Sequence, residues 1–429
     1  MASFSIPLTG LNADSTALNT IANDLSNMNT TAFKSQSTNF ADLFYQEIGS
    51  TGSGDPIQVG AGTQVASNET DFSQGSINST SNPTDVALNG NGFFVVDDGN
   101  GGTEFTRAGN FSLTSAGDLV TSGGFSVMGY PALNGVVNTN APLVPLNIPI
   151  GVVQQPQATT SLSMTANLDS SSTPGTQFPA QVTVYDSLGS PHLVTVTYTE
   201  TATNTWDYSA GLPAADFASG VSTPVTGTLT FDGNGNLISV AQTAPVAVAS
   251  TPVGTAAGDL SSIPLSFTGL ADGAADLNMN WNLLGSNGTP TISQLYATSA
   301  VPSTNQDGYE PGQYRTFTIG SDGTVTAVYS NGQKEAVGQL ALANVNNVQG
   351  LQMMGDGNYA TTRASGTASI STSGTSGLGT LQDGALEASN VNISAEFSDL
   401  IIAQRAFEAN SKTVTTFDTV TQETINMIH

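Results

Sequence analysis

Few residues in this chain have the types and spacing that catalysis requires. It has two histidines, His192 and His429, and no cysteine. Without cysteine there is no disulfide, no thiolate zinc site and no thiol nucleophile. His192 follows Pro191 at the entrance to a predicted strand and reads as a solvated or satisfied side chain rather than a base. No G-x-S-x-G elbow positions a serine nucleophile. Gly90-Asn91-Gly92 is too short for a dinucleotide fingerprint, and there is no P-loop. Asp232, Asn234 and Asn236 match the first ligands of an EF-type calcium loop, but Leu237 stands where the loop needs glycine and no helices flank it. Asp, Asn and Gly are also what tight β-turns use, so these are read as turns. The expectation is a chain that is not an enzyme and carries no cofactor and no metal.

Composition narrows the partners. Seven Lys and Arg face 33 Asp and Glu, for a net charge of −26. Such a chain has no basic footprint for nucleic acid and is repelled by anionic lipid. No run approaches the roughly 20 apolar residues of a membrane span, so no membrane insertion is expected. The first basic residue is Lys34, so no positively charged leader precedes an apolar segment. The polar, lysine-poor composition looks extracellular, and export is expected to proceed without a cleaved signal peptide.

The elements that would have to position any site fall into two kinds. At the start, Leu11, Leu18 and Leu25 are seven apart, and Ile21 and Met28 follow the last two by three. At the end, Ile393, Leu400, Phe407, Val414 and Ile428 share one heptad position, with Thr421 the polar exception. Gln404, Ser411 and Asp418 are read as the other seam position of that helix, and Asp14 lies in the first helix's seam. Phe397 and Phe417 add apolar bulk. Pro7 suits a first helical turn and Asn392 or Ser394 a cap. Strict heptads mark helices that pack along other helices. Stripes this thin are marginal in isolation and need partners.

Between these ends the signals are β. Short alternating apolar segments are separated by Gly, Asn and Asp turns, and Ser330-Asn331-Gly332 is a strong hairpin signal. Ala364 to Gly379 is rich in Ser, Thr and Gly and reads as a linker. The fold class is mainly β with terminal α-helices: discontinuous β domains nested between N- and C-terminal heptad helices that pair in a helical polymer. The expected division is 1–29 with 385–429 as a terminal helical core, 30–75 as an extended connector, 76–145 with 300–372 as an inner β domain, and 146–299 as an outer β domain.

Several motifs carry a resemblance. Ile21-Ala22-Asn23-Asp24-Leu25-Ser26-Asn27 and Thr31-Ala32-Phe33-Lys34 pair with Ser389-Asn390-Val391-Asn392-Ile393 and Ile401-Ile402-Ala403-Gln404-Arg405-Ala406-Phe407-Glu408-Ala409-Asn410-Ser411-Lys412. Gly92-Phe93-Phe94, Phe105-Thr106-Arg107-Ala108-Gly109-Asn110-Phe111 and Val184-Tyr185-Asp186-Ser187-Leu188-Gly189 extend the match. The sequence resembles the rod and hook family of bacterial flagellar axial proteins, most closely those of the hook. Asp24 departs from the usual Asn, Ala32 from the usual Gly, Asn392 from Asp and Phe407 from Tyr.

The resemblance implies a structural subunit that self-assembles into the curved flexible tube between rod and filament. It implies a homopolymer whose other partners are a hook cap, the distal rod protein, the hook-filament junction protein and the flagellar export apparatus. It also implies family-motif positions at Asn23, Asn27, Phe33, Lys34, Gln404, Arg405 and Asn410. A distal rod protein, or a signal-less secreted β-rich adhesin, is the alternative. Polymer-core packing is expected at Leu11, Leu18, Ile21, Leu25, Met28, Ile393, Phe397, Leu400, Phe407, Val414, Phe417 and Ile428, since a head-to-tail contact that does not close builds a filament.

Overall fold

The computed structural model describes residues 5–52, 55–99, 101–245, 248–254 and 260–427. Its chain divides into two units, Met1–Ile150 with Arg315–Val328 and Lys334–His429, and Gly151–Tyr314 with Tyr329–Gln333.

The first unit holds both long helices, α1 (Ser5–Ser26) and α2 (Ile393–Met427). Asn392 caps α2, its Oδ1 accepting from the backbone N–H of Ser394 (3.1 Å) and Ala395 (3.3 Å). The glycine- and proline-free stretch from Ala385 is not helical throughout. Ala385–Glu387 is a strand paired with Ile77–Ser79, and the helix begins only at Ile393. After α1 the chain turns at Ala32, whose φ of 54° is a conformation glycine adopts more easily. It then enters a ribbon: β1 (Gln36–Asp42) pairs antiparallel with β4 (Thr63–Thr70), and β2 (Gln46–Ser50) with β3 (Pro56–Val59).

The sheet of this unit is built around Phe93–Asp97. The run Phe93-Phe94-Val95-Val96 is buried on both faces, as a continuous apolar strand requires. Thr103–Thr106 pairs along one edge and Ser126–Leu133 along the other, followed by Lys334–Leu340 and Thr324–Tyr329. Phe93, Phe105, Tyr130 and Tyr359 fill the core, and Phe94 meets Phe111 edge-on at 5.1 Å. The expected linker at 364–379 is instead packed on this sheet. Ser369–Ser371 pairs with Leu342–Asn344, Leu378 is buried, and the Ser373 hydroxyl donates to the Ser321 and Gly379 carbonyls.

The second unit is a β-sandwich. Six strands from Gln177–Tyr185 to Val248–Pro252 follow one another as antiparallel hairpins. Five strands centred on Ser161–Asp169 form the facing sheet. Alternate residues point inward, so Val194, Val196, Tyr198, Trp206 and Tyr208 meet Leu162, Met164 and Trp281 in one core.

Candidate polymer interface: the terminal helix pair

The two helices run antiparallel. Gly10 lies against Asn410, Leu11 shares a surface groove with Phe407, and Asp24 acts electrostatically on Glu396. Gly10 permits the close approach: a Cβ there would sit 2.7 Å from the Asn410 amide nitrogen. That nitrogen donates to Asp14 Oδ2 at 2.8 Å, so the polar residue predicted in the first helix's seam is satisfied from the other end of the chain.

The face α1 buries is its small and polar one: Pro7, Gly10, Ala13, Ala17, Thr20 and Asp24. Part of it meets the ribbon. Thr38 donates to the Thr20 hydroxyl (3.1 Å), and the Gln36 backbone N–H donates to Asp24 Oδ2 (2.7 Å). The leucine stripe lies beside this face. Leu11, Leu18, Ile21 and Leu25 are half-buried and Met28 is exposed. On α2 only Ala403 is buried; Leu400, Val414 and Phe417 are half-covered, while Ile393, Phe397 (52% exposed) and Phe407 are exposed. Ile428 lies outside the described residues.

The second seam position of α2 differs from the expected one. Gln404 and Asp418 face solvent and Ser411 is half-buried, whereas Glu396, Ala403, Asn410 and Phe417 are the covered residues. The partner helix therefore lies on the i+3 side of the apolar stripe rather than the i+4 side. By the observed register Ser5 comes level with about Thr415. Val420, Ile425 and Met427 (80% exposed) project beyond the described part of α1.

The root of the pair is a buried ionic cluster. Lys34, the last residue of the N-terminal motif, places Nζ 2.6 Å from Glu387 Oε1, and neither side chain is exposed. Nζ also donates to the Ser73 carbonyl (2.7 Å), and the Gly75 N–H donates to Glu387 Oε1 (2.9 Å). Arg107 Nε lies 3.4 Å from Glu387 Oε2, and its Nη1 donates to the Gly90 and Gly92 carbonyls. Burial pulls the Lys34 amine below its ordinary value, against the pull of Glu387. Asn390 adds a second tie, accepting from the Ser35 N–H and donating to the Asp71 carbonyl, both at 2.8 Å. Arg107 and Asn390 stand in the family motifs, whereas Glu387 lies in none of them. Nothing in the sequence singles it out among the 33 acidic residues.

The other motif positions scatter. Asn23 and Asn27 bond to each other, Asn27 Nδ2 donating to the Asn23 carbonyl at 2.9 Å, and line a cleft with Phe33, Met353 and Tyr359. Gln404 and Arg405 are exposed on α2. Burial raises the carboxyls of Asp24, whose Oδ1 has no hydrogen-bond partner, and of Glu396, which Asp24 and Asp399 raise further.

Four family models match along the chain: "Flagella basal body rod protein" at 6–34, "Flagellar hook protein FlgE/F/G D1 domain" at 87–167, "Flagellar basal body protein FlaE D2 domain" at 156–309 and "Flagellar basal body rod FlgEFG protein C-terminal" at 382–427. The flagellar hook protein FlgE of Salmonella typhimurium is 35% identical over 99% of this chain and all of the relative. That of Treponema pallidum is 33% identical over 98% of each. The chain belongs to the flagellar hook protein family. It is a family of structural proteins, not of enzymes. A crystal structure of the Helicobacter pylori hook protein FlgE2 shares the fold at a TM-score of 0.52 and 15% identity, covering 72% of this chain and all of that one. In this hook-family chain the two terminal matches end and begin beside the ionic cluster, the first at Lys34 and the second five residues before Glu387.

Proposed function

We propose that this chain polymerises through α1 and α2 into the curved, flexible tube that joins rod to filament. The observation that carries this reading is the uncovered apolar length of α2: Phe397, Ile401, Ile402 (65% exposed), Val420, Ile425 and Met427 all face solvent in a single copy. A helix with so much apolar surface bare is stabilised by other helices, and each side chain of this size contributes about 1.5–3 kcal/mol when fully covered. Leu11, Leu18, Ile21, Leu25, Met28, Ile393, Leu400, Phe407, Val414, Phe417 and Ile428 complete that surface in neighbouring copies.

In this reading 1–29 with 385–429 forms the tube's inner layer, 30–75 is the connector, 76–145 with 300–372 the inner β domain and 146–299 the outer one. The subunit leaves the cell through the flagellar export apparatus without a cleaved signal peptide. It assembles beneath a hook cap and contacts the distal rod protein and the hook-filament junction protein. Removing residues 393–429 tests it. The truncated chain stays folded by tryptophan fluorescence but gives no tubes in electron micrographs under conditions where the full chain does; tubes from the truncated chain overturn the reading.

A further inference from the structure

Four titratable side chains outside the terminal helix pair meet in the β-sandwich. His192 begins the strand Pro191–Ala202, Asp186 lies in the turn before it, Asp216 ends the 3-10 helix Ala214–Asp216, and Asp272 stands in the loop before Leu277–Asn282. Asp186 is fully buried, and its Oδ1 accepts from the N–H groups of Leu188 (2.8 Å) and Ser190 (2.9 Å), leaving Oδ2 turned toward the imidazole. His192 Nδ1 lies 2.9 Å from Asp216 Oδ2, which holds the neutral ring with its proton on Nδ1. The imidazole is nine-tenths buried, and its Nε2 then aims a lone pair at Asp186 Oδ2 (3.1 Å) and Asp272 Oδ2 (3.6 Å).

Three electron-rich atoms facing one another need something positive between them. Among the described residues the only cationic group within salt-bridge distance of these carboxylates is His192 itself. A proton on Nε2 leaves three carboxylates against one imidazolium. A divalent ion bound to neutral His192, Asp186 and Asp272 makes the inner set neutral. The spacings also suit a metal: bonds of about 2.0–2.2 Å to nitrogen and oxygen give ligand–ligand edges of about 3–3.6 Å. Asp216 is then the outer carboxylate that orients a metal-bound histidine. An imidazole among the ligands favours zinc-like ions over calcium or magnesium.

We infer that Asp186, His192 and Asp272 bind one divalent ion of the zinc class, oriented by Asp216. Asp272 is partly exposed, so water completes the coordination. The site is structural. It ties the 186–190 turn to the 272 loop, beside the bond from the Ala275 N–H to the Ser187 hydroxyl (3.0 Å).

The test uses the full chain, stripped with a chelator and titrated with zinc at neutral pH. Native mass spectrometry reads stoichiometry, and cobalt(II) absorption reads ligand geometry. One ion per chain is expected, with a later unfolding midpoint in the fluorescence of Trp206 and Trp281, which are buried in the same core. Asp272→Asn, at a partly exposed position that tolerates the change, weakens binding at least tenfold, and Asp216→Asn weakens it by roughly ten- to a hundredfold. His429→Ala leaves binding intact. A stripped chain that takes up no zinc, or takes it equally well as Asp272→Asn, shows that a proton is the only occupant and overturns the proposal.

Discussion

Glu387→Gln isolates the cluster at the root of the helices. The substitution keeps the side chain's shape, and its remaining carbonyl oxygen still accepts from Gly75. What it removes is the negative charge between Lys34 and Arg107, side chains that are 0% and 6% exposed. Breaking one partner out of a buried pair costs about 3–5 kcal/mol because a bare charge is left behind. Lys34 keeps the Ser73 carbonyl and Arg107 keeps two carbonyls, so the lower end, about 3 kcal/mol, is expected. That corresponds to a melting shift of about 6–12 °C for a unit of this size. The assay separates the units without cutting the chain. Circular dichroism at 222 nm follows the helices of the first unit, while both tryptophans report on the sandwich. Glu387→Gln therefore moves the dichroism transition and leaves the fluorescence transition in place. Lys34→Met is also destabilising, and the double variant recovers part of the loss, giving a coupling of about 2 kcal/mol. A coupling below about 0.5 kcal/mol refutes the view that this charge pair holds the roots of the two helices together.

Three further outcomes follow from the same geometry. Asp24 has a raised folded-state pKa, so its contribution to stability is fully present below the ordinary 3.8 and is lost as pH rises through the folded value; Glu396 behaves alike above 4.5. The helix signal should therefore be more stable in mild acid than at neutrality, and Asp24→Asn should flatten that dependence and stabilise the pair at pH 7, as read by melting at several pH values. Gly10→Val drives the Asn410 amide off Asp14 and should cost about 1–3 kcal/mol, measured as helix loss in the monomer. Phe397→Asp, at an exposed site, should leave monomer melting within about 0.5 kcal/mol yet abolish sedimentable polymer.

Local chemistry was legible wherever one segment decided the outcome. The Asn331-Gly332 hairpin forms with Gly332 at φ 80° and the Tyr329 N–H on the Gln333 carbonyl. Asp232 does what a turn residue does, its Oδ1 accepting from the N–H groups of Asn234 and Asn236. His192, read from its sequence neighbours as a solvated or satisfied side chain, is instead buried against carboxylates, and two of them, Asp216 and Asp272, come from remote loops that no spacing in the chain announces. Heptads placed the helices and left their contact face ambiguous, because a 3.6-residue helix offers a stripe flanks on both sides. The 364–379 segment misled for a related reason. Its Ser, Thr and Gly content matches a flexible linker, yet hydroxyls such as that of Ser373 bond to backbone carbonyls and Leu378 plugs the sheet. Lys34 and Glu387 lie 353 residues apart, beyond the reach of any periodicity.

The division of labour along α1 explains why a subunit so firmly rooted should leave its helices half bare. The face that α1 buries inside one copy carries small side chains, Gly10, Ala13 and Ala17, with Gly10 against Asn410 and the Asp14–Asn410 bond fixing register. Small residues let helix backbones meet while spending little apolar area. The large side chains, Leu11, Leu18 and Leu25 on one helix and Phe397, Phe407 and Val420 on the other, stay wholly or partly uncovered. Had the leucines filled the intrachain seam, the monomer would have been stable alone with nothing left for a neighbour to cover. In the proposed polymer the small face lies inward, the ionic root sets where the helices emerge, and the apolar stripes are left for other copies. On that proposal assembly supplies the burial that folding withholds, and the free energy of polymerisation should scale with the bulk of the exposed stripe rather than with the strength of the root.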